Sequence, residues 1–540
     1  MKVYTLLYSS SRMCRDNASM AAQRAWRRVV LSSVAMSSLV LSVMMAVMVA
    51  GAFFQASSSS AGRCFAAQEG MVADENSLYS VALGAYKDGF YDLAIDQFSH
   101  LLRLYPNSVK APYAQFRIAE SYFKQKNYDQ SLIWYQKLLD QYPQKSDLLD
   151  KTLYRLGQIY FLKKEYEKAD SFYQTLLDRC SGSRLAADAL FWSAESKSLA
   201  GKWKEAKEAY QQVVKNYPNY RYAADALYGL GMAALKLQDD SQALKAFQEF
   251  TARKPQNKQQ VASAWLNIAE IEYRAGNYDR AAQHYQKILN DYPDSSEIRL
   301  ALYGAGLSLY QVQQFSKAIA LYQQFLAKYP KDELAEAVTF QIGVLHFKLE
   351  NYSQAAEWLE KFIRTWTKSD YLPQASYYLA LSNQKLGKMD LAKQQFSRIA
   401  KECKESSLCA SAWLQLGAMA YQAGQFPEAV RAYESASKAS DRSVAAEALY
   451  WLGESWAGQK NYDQAIHVWL QLSQQQQYHG IDNWAAMAEM RAAGIYEHQG
   501  RVEKALELYE KVARGKNEDQ LRSAARQRIE KLRSQIKKAP

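Results

Sequence analysis

Small side chains recur along this chain with a period of about 37 residues. An alanine or a serine marks each recurrence, and consecutive marks are 36 to 40 residues apart. A fixed spacing of this kind is typical of an internal repeat, which has to be recognised before local structure is interpreted. We call these residues the anchors of twelve repeat units: Ala94, Ser131, Ala169, Ala206, Ala243, Ala281, Ala318, Ala355, Ala392, Ala429, Ala465 and Ala505.

Apolar residues follow each anchor at helical spacing. Four residues after the anchor, eleven of the twelve units have an aromatic side chain, and seven residues after it every unit is apolar. In one unit these positions are Ala206, Tyr210 and Val213. Positions 0, 4 and 7 lie on one face of an α-helix. The pattern therefore predicts an amphipathic helix around each anchor.

Other columns of the repeat predict a second helix and a stop. The residue twelve positions before every anchor is alanine or glycine, as at Gly157 and Ala194. A small residue there lets two helices approach each other closely. Twelve residues after the anchor, six units have a proline, such as Pro218, which cannot continue a helix. Each unit is therefore predicted to be a helix, a short turn, a second helix and a stop.

One helix pair cannot bury its apolar face alone, whereas stacked pairs share a continuous core. We therefore predict an all-α fold, an α-α superhelix of about twelve helix-turn-helix repeats. This fold also explains the unusually high count of 39 tyrosines. A flat amphipathic ring at a fixed column fills the space between helices and keeps its polar tip near water.

These columns resemble the tetratricopeptide repeat family over residues 75–515. The resemblance rests on the series of small, aromatic and proline positions, as in Gly157, Ala169 and Tyr173 and in Ala206, Tyr210 and Pro218. The usual period of the family is about 34 residues, and the longer unit here is similar to the exported repeats of outer-membrane assembly lipoproteins and of the periplasmic coordinator that works with Tol–Pal.

The resemblance implies that the first helix of each pair lines the concave, partner-binding surface. Two columns of rings map there, fifteen and eight residues before the anchor, and rings are favoured anchors at binding surfaces. We expect them to form a groove that grips polypeptide, although the same rings could instead be buried between neighbouring units. The candidates are Tyr79, Phe116, Tyr154, Phe191, Tyr228, Tyr303, Phe340, Tyr377 and Tyr450 in the first column and Phe123, Phe161, Tyr273, Tyr310 and Phe347 in the second.

Residues 1–67 have the layout of an export signal. The segment from Val29 to Phe54 contains no charged side chain and follows Arg24, Arg27 and Arg28. A basic region, an apolar run and a polar stretch with small residues are typical of a secretory signal, here with cleavage after Ala61 or Ala66. The run is also long enough to span a bilayer. A cleaved signal and a retained membrane anchor therefore both remain possible.

Residues 516–540 are predicted to form a basic C-terminal helix. Its apolar face carries Leu521, Ala525, Ile529, Leu532 and Ile536, and its other face is rich in arginine and lysine. We interpret it as a cap that covers the last repeat. The alternative is a basic handle for anionic lipid headgroups.

Composition and charge exclude several other classes. Apolar residues make up 49% of the 540 residues, which excludes wholesale disorder. The formal net charge is +12, but the first 70 residues contribute +5 of it, from seven basic and two acidic side chains. The middle of the chain is close to balanced, so no nucleic acid partner is expected.

The sequence contains no recognisable constellation of catalytic, cofactor-binding or metal-binding residues. The six histidines are scattered, and neither His-Glu-x-x-His nor Cys-x-x-Cys occurs. Cys403 and Cys409 lie six residues apart and could form a local disulfide in an oxidising compartment, or Cys403 could be buried and unbonded.

Together these features predict an exported, non-enzymatic scaffold. The resemblance implies that it lies in the periplasm of the bacterial cell envelope and is active in outer-membrane protein assembly or in coordinating division. The alternative is an inner-membrane-anchored component of a secretion or polysaccharide-export machine. The expected partners are proteins or peptides, with the membrane as a further contact if the N-terminal segment is retained. No cofactor and no small-molecule substrate are expected, and glycan binding by the rings is a third possibility.

Overall fold

The computed structural model describes residues 74–143, 146–402, 406–478, 481–515 and 518–538. Within this part of the chain it contains twenty-five α-helices, one short 3-10 helix and no strand. The prediction of an all-α solenoid is thereby confirmed. The predicted signal or anchor lies outside the described residues. The described helices divide into two units, which are treated separately.

The first unit, residues 74–312, contains six helix pairs followed by a single helix. Consecutive helices pack against each other, and in most cases the first helices of neighbouring pairs also touch. The helices are α1 (Glu75–Lys87), α2 (Tyr91–Leu104), α3 (Ala111–Lys124), α4 (Tyr128–Gln141), α5 (Ser146–Leu162), α6 (Tyr166–Arg179), α7 (Ala186–Leu199), α8 (Trp203–Asn216), α9 (Ala223–Lys236), α10 (Asp240–Ala252), α11 (Lys258–Arg274), α12 (Tyr278–Asp291) and α13 (Ile298–Gln311).

The second unit, described from residue 313 to 538, contains one helix, five pairs and a final helix. A 3-10 turn at Gln476–Tyr478 lies in the lengthened connection before the last pair. The helices are α14 (Phe315–Lys328), α15 (Ala335–Lys348), α16 (Tyr352–Thr365), α17 (Leu372–Lys385), α18 (Met389–Glu402), α19 (Ser406–Gln422), α20 (Phe426–Ala436), α21 (Arg442–Gly458), α22 (Tyr462–Gln474), α23 (Trp484–His498), α24 (Val502–Arg514) and α25 (Asp519–Lys538).

The core follows the columns of the repeat. All twelve anchors are fully buried, and the residues four positions later are at most 2% exposed. A Cβ added at Gly157 would come within 3.0 Å of the Tyr173 ring, and one at Gly453 would similarly overlap Trp469. The small column therefore exists because the ring of the second helix lies directly against the backbone of the first.

The turn between the two helices of each repeat depends on one residue with a left-handed backbone conformation. The residue five positions before the anchor has a positive φ in all twelve repeats. Glycine takes this conformation at little cost, whereas a side chain makes it strained. Half of these positions are glycine, as at Gly201, and the others are Lys126, Lys164, Gln238, Gln313, Glu350 and Lys460.

The second helices end without depending on proline. Tyr105, which precedes Pro106, leaves the helix with φ −130° and ψ 61°. Cys180 precedes a serine and adopts nearly the same conformation, with φ −133° and ψ 47°. The same helix end therefore forms with or without a following proline.

The final helix α25 covers the last pair. Ala525 is fully buried beside Ala486 and Val512, and Ile529 and Leu532 join the core of the preceding helices. On its polar face Arg528 and Arg533 pair with carboxylates of α23 and α24. Helix α25 thus packs on α23 and α24 through its apolar face and pairs with them through its polar face; that it acts as a cap stays a prediction.

Among the described residues, no helix combines the length and the apolar character that crossing a bilayer requires. Cys409 is disulfide-bonded, whereas Cys180 is free. Cys403, which the sequence suggests as the partner of Cys409, lies outside the described residues.

Candidate partner-binding face

Most rings of the first predicted column lie in the core between the two helices of a pair. Phe116 packs edge-on against Tyr135 with ring centroids 5.7 Å apart, and Tyr377 packs in the same way against Phe396 at 5.6 Å. Seven of the nine rings are buried, while Tyr79 and Tyr154 are half-buried. The buried members are Phe116, Phe191, Tyr228, Tyr303, Phe340, Tyr377 and Tyr450.

Rings of the second column pack at the turn inside the pair. Phe123 contacts Tyr128, three residues before the next anchor, with centroids 5.8 Å apart. Phe161 contacts Tyr166 at 5.6 Å, and the same contact recurs between Tyr273 and Tyr278, Phe347 and Tyr352, and Tyr421 and Phe426. Tyr273 is buried, whereas Phe123, Phe161, Tyr310 and Phe347 are half-buried.

A third column, fourteen residues before the anchor, covers these rings from the following pair. The guanidinium of Arg155 lies 4.7 Å from the centre of the Phe123 ring. Trp192 contacts Phe161 at 5.2 Å. The same relation joins Arg117 to Tyr86, Tyr378 to Phe347 and Trp451 to Tyr421. Sequence analysis missed this column, although its arginine and aromatic residues were visible in the aligned repeats.

Two four-ring clusters result from these contacts, one in each unit. Each cluster spans three consecutive helix pairs. The first pair contributes one ring of the second column, the first helix of the second pair contributes two adjacent rings, and the start of the first helix of the third pair contributes one ring. Centroid distances are 5.1 to 5.2 Å in the first cluster and 5.2 to 5.4 Å in the second. The clusters are Phe161, Trp192, Phe191 and Tyr222, and Tyr421, Trp451, Tyr450 and Trp484.

The predicted rings therefore divide into two groups. Eight are core residues, which is the alternative that the sequence left open. Six are half-buried on the face formed by the first helices of successive pairs, which we call the first-helix face. That these six contact a partner stays a prediction. They are Tyr79, Tyr154, Phe123, Phe161, Tyr310 and Phe347.

The first-helix face also carries carboxylates that sequence analysis did not single out. Four glutamates occupy the position eleven residues before the anchor: Glu120, Glu195, Glu270 and Glu454. Glu120 accepts hydrogen bonds from the Tyr135 hydroxyl and from Arg155 Nε, the latter at 2.6 Å. Glu454 accepts two hydrogen bonds from the guanidinium of Arg491.

The other two glutamates of this column, Glu195 and Glu270, do not form an ion pair with an arginine of the described residues. The Tyr210 hydroxyl donates a hydrogen bond to Glu195 at 2.6 Å. Burial raises the pKa of Glu195 to about 7 and that of Glu270 to about 8, because desolvation penalises the charged carboxylate. These two groups are therefore partly protonated near neutral pH.

The described residues do not bring together a recognisable reaction centre. In this part of the chain, no group of three or more histidine, cysteine or acidic side chains is arranged to hold a metal ion. His284 stacks on Trp265 and His346 is buried in α15, in different units. Within each unit the first helices instead present aromatic rings and carboxylates, which are suited to binding.

Four models of the tetratricopeptide repeat match the chain. Together the matches cover well over half of its residues. The matched segments are 110–182 and 260–331 for one model, 303–370, 377–440 and 414–478 for another, 188–220 and 225–257 for a third, and 491–523 for the fourth.

Solved structures with similar folds include proteins of different kinds. MamA protein is 19% identical over 34% of this chain and 94% of its own, with a TM-score of 0.30. Yeast Tom70 is 16% identical over 86% of this chain and 96% of its own, with a TM-score of 0.32. Naa15/Naa10 bound to HypK-THB is 14% identical over 80% and 67%, with a TM-score of 0.37. No curated protein sequence matches the chain.

Proposed function

Because this chain belongs to the tetratricopeptide repeat family, we propose that it is a non-enzymatic scaffold that holds protein partners in the bacterial cell envelope, outside the cytoplasm. The observation that carries the scaffold role is the repeated first-helix face. Its ring positions recur in register from pair to pair within each unit, and four of the twelve repeats add a carboxylate at a fixed position. A surface of this kind suits an extended or helical polypeptide better than a small molecule.

The proposed location rests on two observations. The uncharged run from Val29 to Phe54 behind three arginines is typical of an exported protein. Cys409 is disulfide-bonded, and structural disulfides persist mainly in oxidising compartments such as the periplasm. Both favour residence outside the cytoplasm.

The process served is proposed on the resemblance of the repeat style alone. Outer-membrane protein assembly or coordination of division is the leading setting. The alternative, an inner-membrane-anchored component of a secretion or polysaccharide-export machine, is favoured by the length of the same uncharged run. N-terminal sequencing of the mature protein separates the two: a start near residue 62 or 67 supports a cleaved signal, and an intact run supports an anchor.

Photo-crosslinking in the native cell tests the scaffold role. A benzoylphenylalanine replaces Phe123 or Phe347, half-buried rings of the first-helix face in different units. Matched probes replace Ile133 and Leu391, which are 56% and 39% exposed on second helices. We expect covalent protein adducts from the first pair of probes. Adducts from the second pair alone would show that the face is wrongly assigned, and absence of adducts from all four would contradict the scaffold role.

A further inference from the structure

Two buried carboxylates of the first-helix face are neutralised by the pair that follows. Arg155 reaches Glu120, and Arg491 reaches Glu454. Both arginines occupy the same column, fourteen residues before the next anchor. Glu120 and Glu454 are each 5% exposed, so each carboxylate has a guanidinium close by in place of water. The fold thus has a standard way of accommodating a glutamate at this position.

Glu195 and Glu270 occupy the equivalent position without this compensation. Where their arginines would be expected, the next first helices have Gly229 and Gly304. A Cβ at either glycine would lie less than 3.0 Å from the ring of Tyr210 or Tyr285, respectively. The tyrosine ring therefore takes the space through which an arginine stem would pass, and the chain cannot supply a cation from that column.

The polar groups at the second of these positions are left without partners. Glu270 is 3% exposed and has no hydrogen bond or ion pair among the described residues. The hydroxyl of Tyr285, also buried, lacks a partner as well, although the equivalent hydroxyls of Tyr135 and Tyr210 donate to Glu120 and Glu195. The Glu270 carboxylate lies near enough for its charge to raise the pKa of Tyr285. An acceptor on α11 and a donor on α12 are thus both without a hydrogen-bond partner in the described part of the chain.

Basic side chains close to these glutamates are already engaged. Lys197, two residues after Glu195, binds Asp170 at 2.5 Å. Arg274, four residues after Glu270, donates two hydrogen bonds to Asp240. The charge of Arg274 acts on Glu270 from a distance and lowers its pKa somewhat, but neither cation can bind a glutamate of this column without leaving the aspartate that it already binds.

We propose that Glu195 and Glu270 bind arginine or lysine side chains of a protein partner, which supply from outside the cation that Arg155 and Arg491 supply elsewhere. This inference rests on the proposed scaffold function and names the chemistry of its partner: a basic segment. Among the described residues, Glu270 is buried without a partner, and Glu195 is half-buried with only the Tyr210 hydroxyl as a donor. A carboxylate shielded from water without a cation is costly, and pairing with a cation that also donates hydrogen bonds removes that cost. Because Glu270 is only 3% exposed, a cation that pairs with it has to stand at the end of a long side chain, as it does in lysine and arginine.

The spacing of the two glutamates supports an extended partner. They lie 75 residues apart in sequence, two repeats, on α7 and α11. Asp225 on the intervening helix α9 adds a third carboxylate whose pKa burial raises. The whole chain has a net charge of +12, which repels cationic segments in general, so binding of such a segment would depend on these local carboxylates.

Binding of fluorescein-labelled hexa-arginine to the full chain tests this inference. The test variant carries Glu195→Gln and Glu270→Gln, and the matched control carries Glu205→Gln and Glu208→Gln, which removes two exposed carboxylates from second helix α8. We expect the test variant to bind at least about tenfold more weakly, since hydrogen bonds to charged groups are the strong ones. The control should bind like the wild type, and hexa-glutamate should not bind.

Three outcomes would overturn the inference: no binding of hexa-arginine to the wild type, equal binding by the test variant, or equal loss in the control. Binding at constant ionic strength should also strengthen from pH 6 to pH 8.5 as the carboxylates ionise. In-cell crosslinking from Phe123 separates the two proposals. If partners are captured equally by wild type and test variant, the scaffold role stands and the basic-segment inference fails.

Discussion

The ring of Tyr222 stacks on the ring of Phe191, with centroids 5.1 Å apart and planes inclined by 19°. Tyr222 is the residue directly before α9, and Phe191 lies in α7, so the contact joins the first helices of consecutive pairs. Phe191 is 3% exposed and also contacts Trp192 edge-on. This contact therefore holds neighbouring pairs together.

Replacing Phe191 with alanine should destabilise the protein by about 3 kcal/mol or more, because it leaves a cavity among rings. Tyr154→Ala should cost less, since Tyr154 is half-buried. Urea unfolding followed by circular dichroism measures both. Phe90→Ala, at a side chain that is 64% exposed, is the control and should change stability little. An unaltered Phe191→Ala midpoint would show that the ring is not part of the core.

The left-handed turn residues give a second prediction. Lys164→Gly should stabilise the fold by up to about 1 kcal/mol, because glycine takes a positive φ without the steric cost of a Cβ. Gly201→Ala should do the reverse at the equivalent turn, where no other atom lies within 4 Å of the added Cβ. Thermal unfolding measures both signs. A loss of stability in Lys164→Gly would mean that its side chain matters more than its backbone.

The carboxylate of Glu270 predicts a pH dependence. Its folded-state pKa of about 8 lies above the ordinary value of 4.5, so the fold binds this proton more tightly than the unfolded chain does. That contribution is fully present below pH 4.5 and is lost as the pH rises to about 8. Glu270→Gln cannot lose a proton, so the variant should gain melting temperature relative to wild type between pH 5 and pH 8.5.

Glu120→Gln provides the contrast at the same column. It removes the charge that Arg155 neutralises, so it should lower the melting temperature at pH 8.5. A Glu270→Gln difference that is constant with pH would contradict the predicted titration.

The pairing of Glu454 with Arg491 predicts a coupled effect. Arg491→Met leaves a carboxylate that is 5% exposed without its cation, and we expect a loss of about 2 kcal/mol. Adding Glu454→Gln should recover part of it, and a double-mutant cycle in urea measures the coupling. Arg526→Met, at an exposed arginine of α25, should be neutral. Additive losses would show that the pair is not coupled.

Cysteine chemistry tests the location. In protein isolated from cells without reductant, maleimide should label Cys409 only after reduction. Cys180 should label without reduction but slowly at pH 7, because burial raises the pKa of its thiol and thiolate is the reactive form. Mass spectrometry of the peptides distinguishes the two. Immediate labelling of Cys409 would argue for a reducing compartment.

The sequence predicted the interior of each pair well, because a period of 3.6 dictates which side chains share a face. Ala94, Phe98 and Leu101 are all fully buried, as their spacing required. It did not predict how pairs meet. The contact of Arg155 with Phe123 joins residues 32 apart, and only the packing angle between helices brings them together. Because the sequence does not specify how neighbouring pairs pack, Phe191 was equally consistent with a ring in the binding groove and with a ring in the core.

Helix α25 affects how the C-terminal repeats unfold. Each pair depends chiefly on its immediate neighbours, so a solenoid melts most easily from an unprotected end. Because Ala525 and Leu532 cover the last pair, α25 sets the rate at which the C-terminal repeats fray. Proteolysis of these repeats would begin with detachment of this one helix, and their lifetime would depend on how firmly the twenty residues Asp519–Lys538 stay in place.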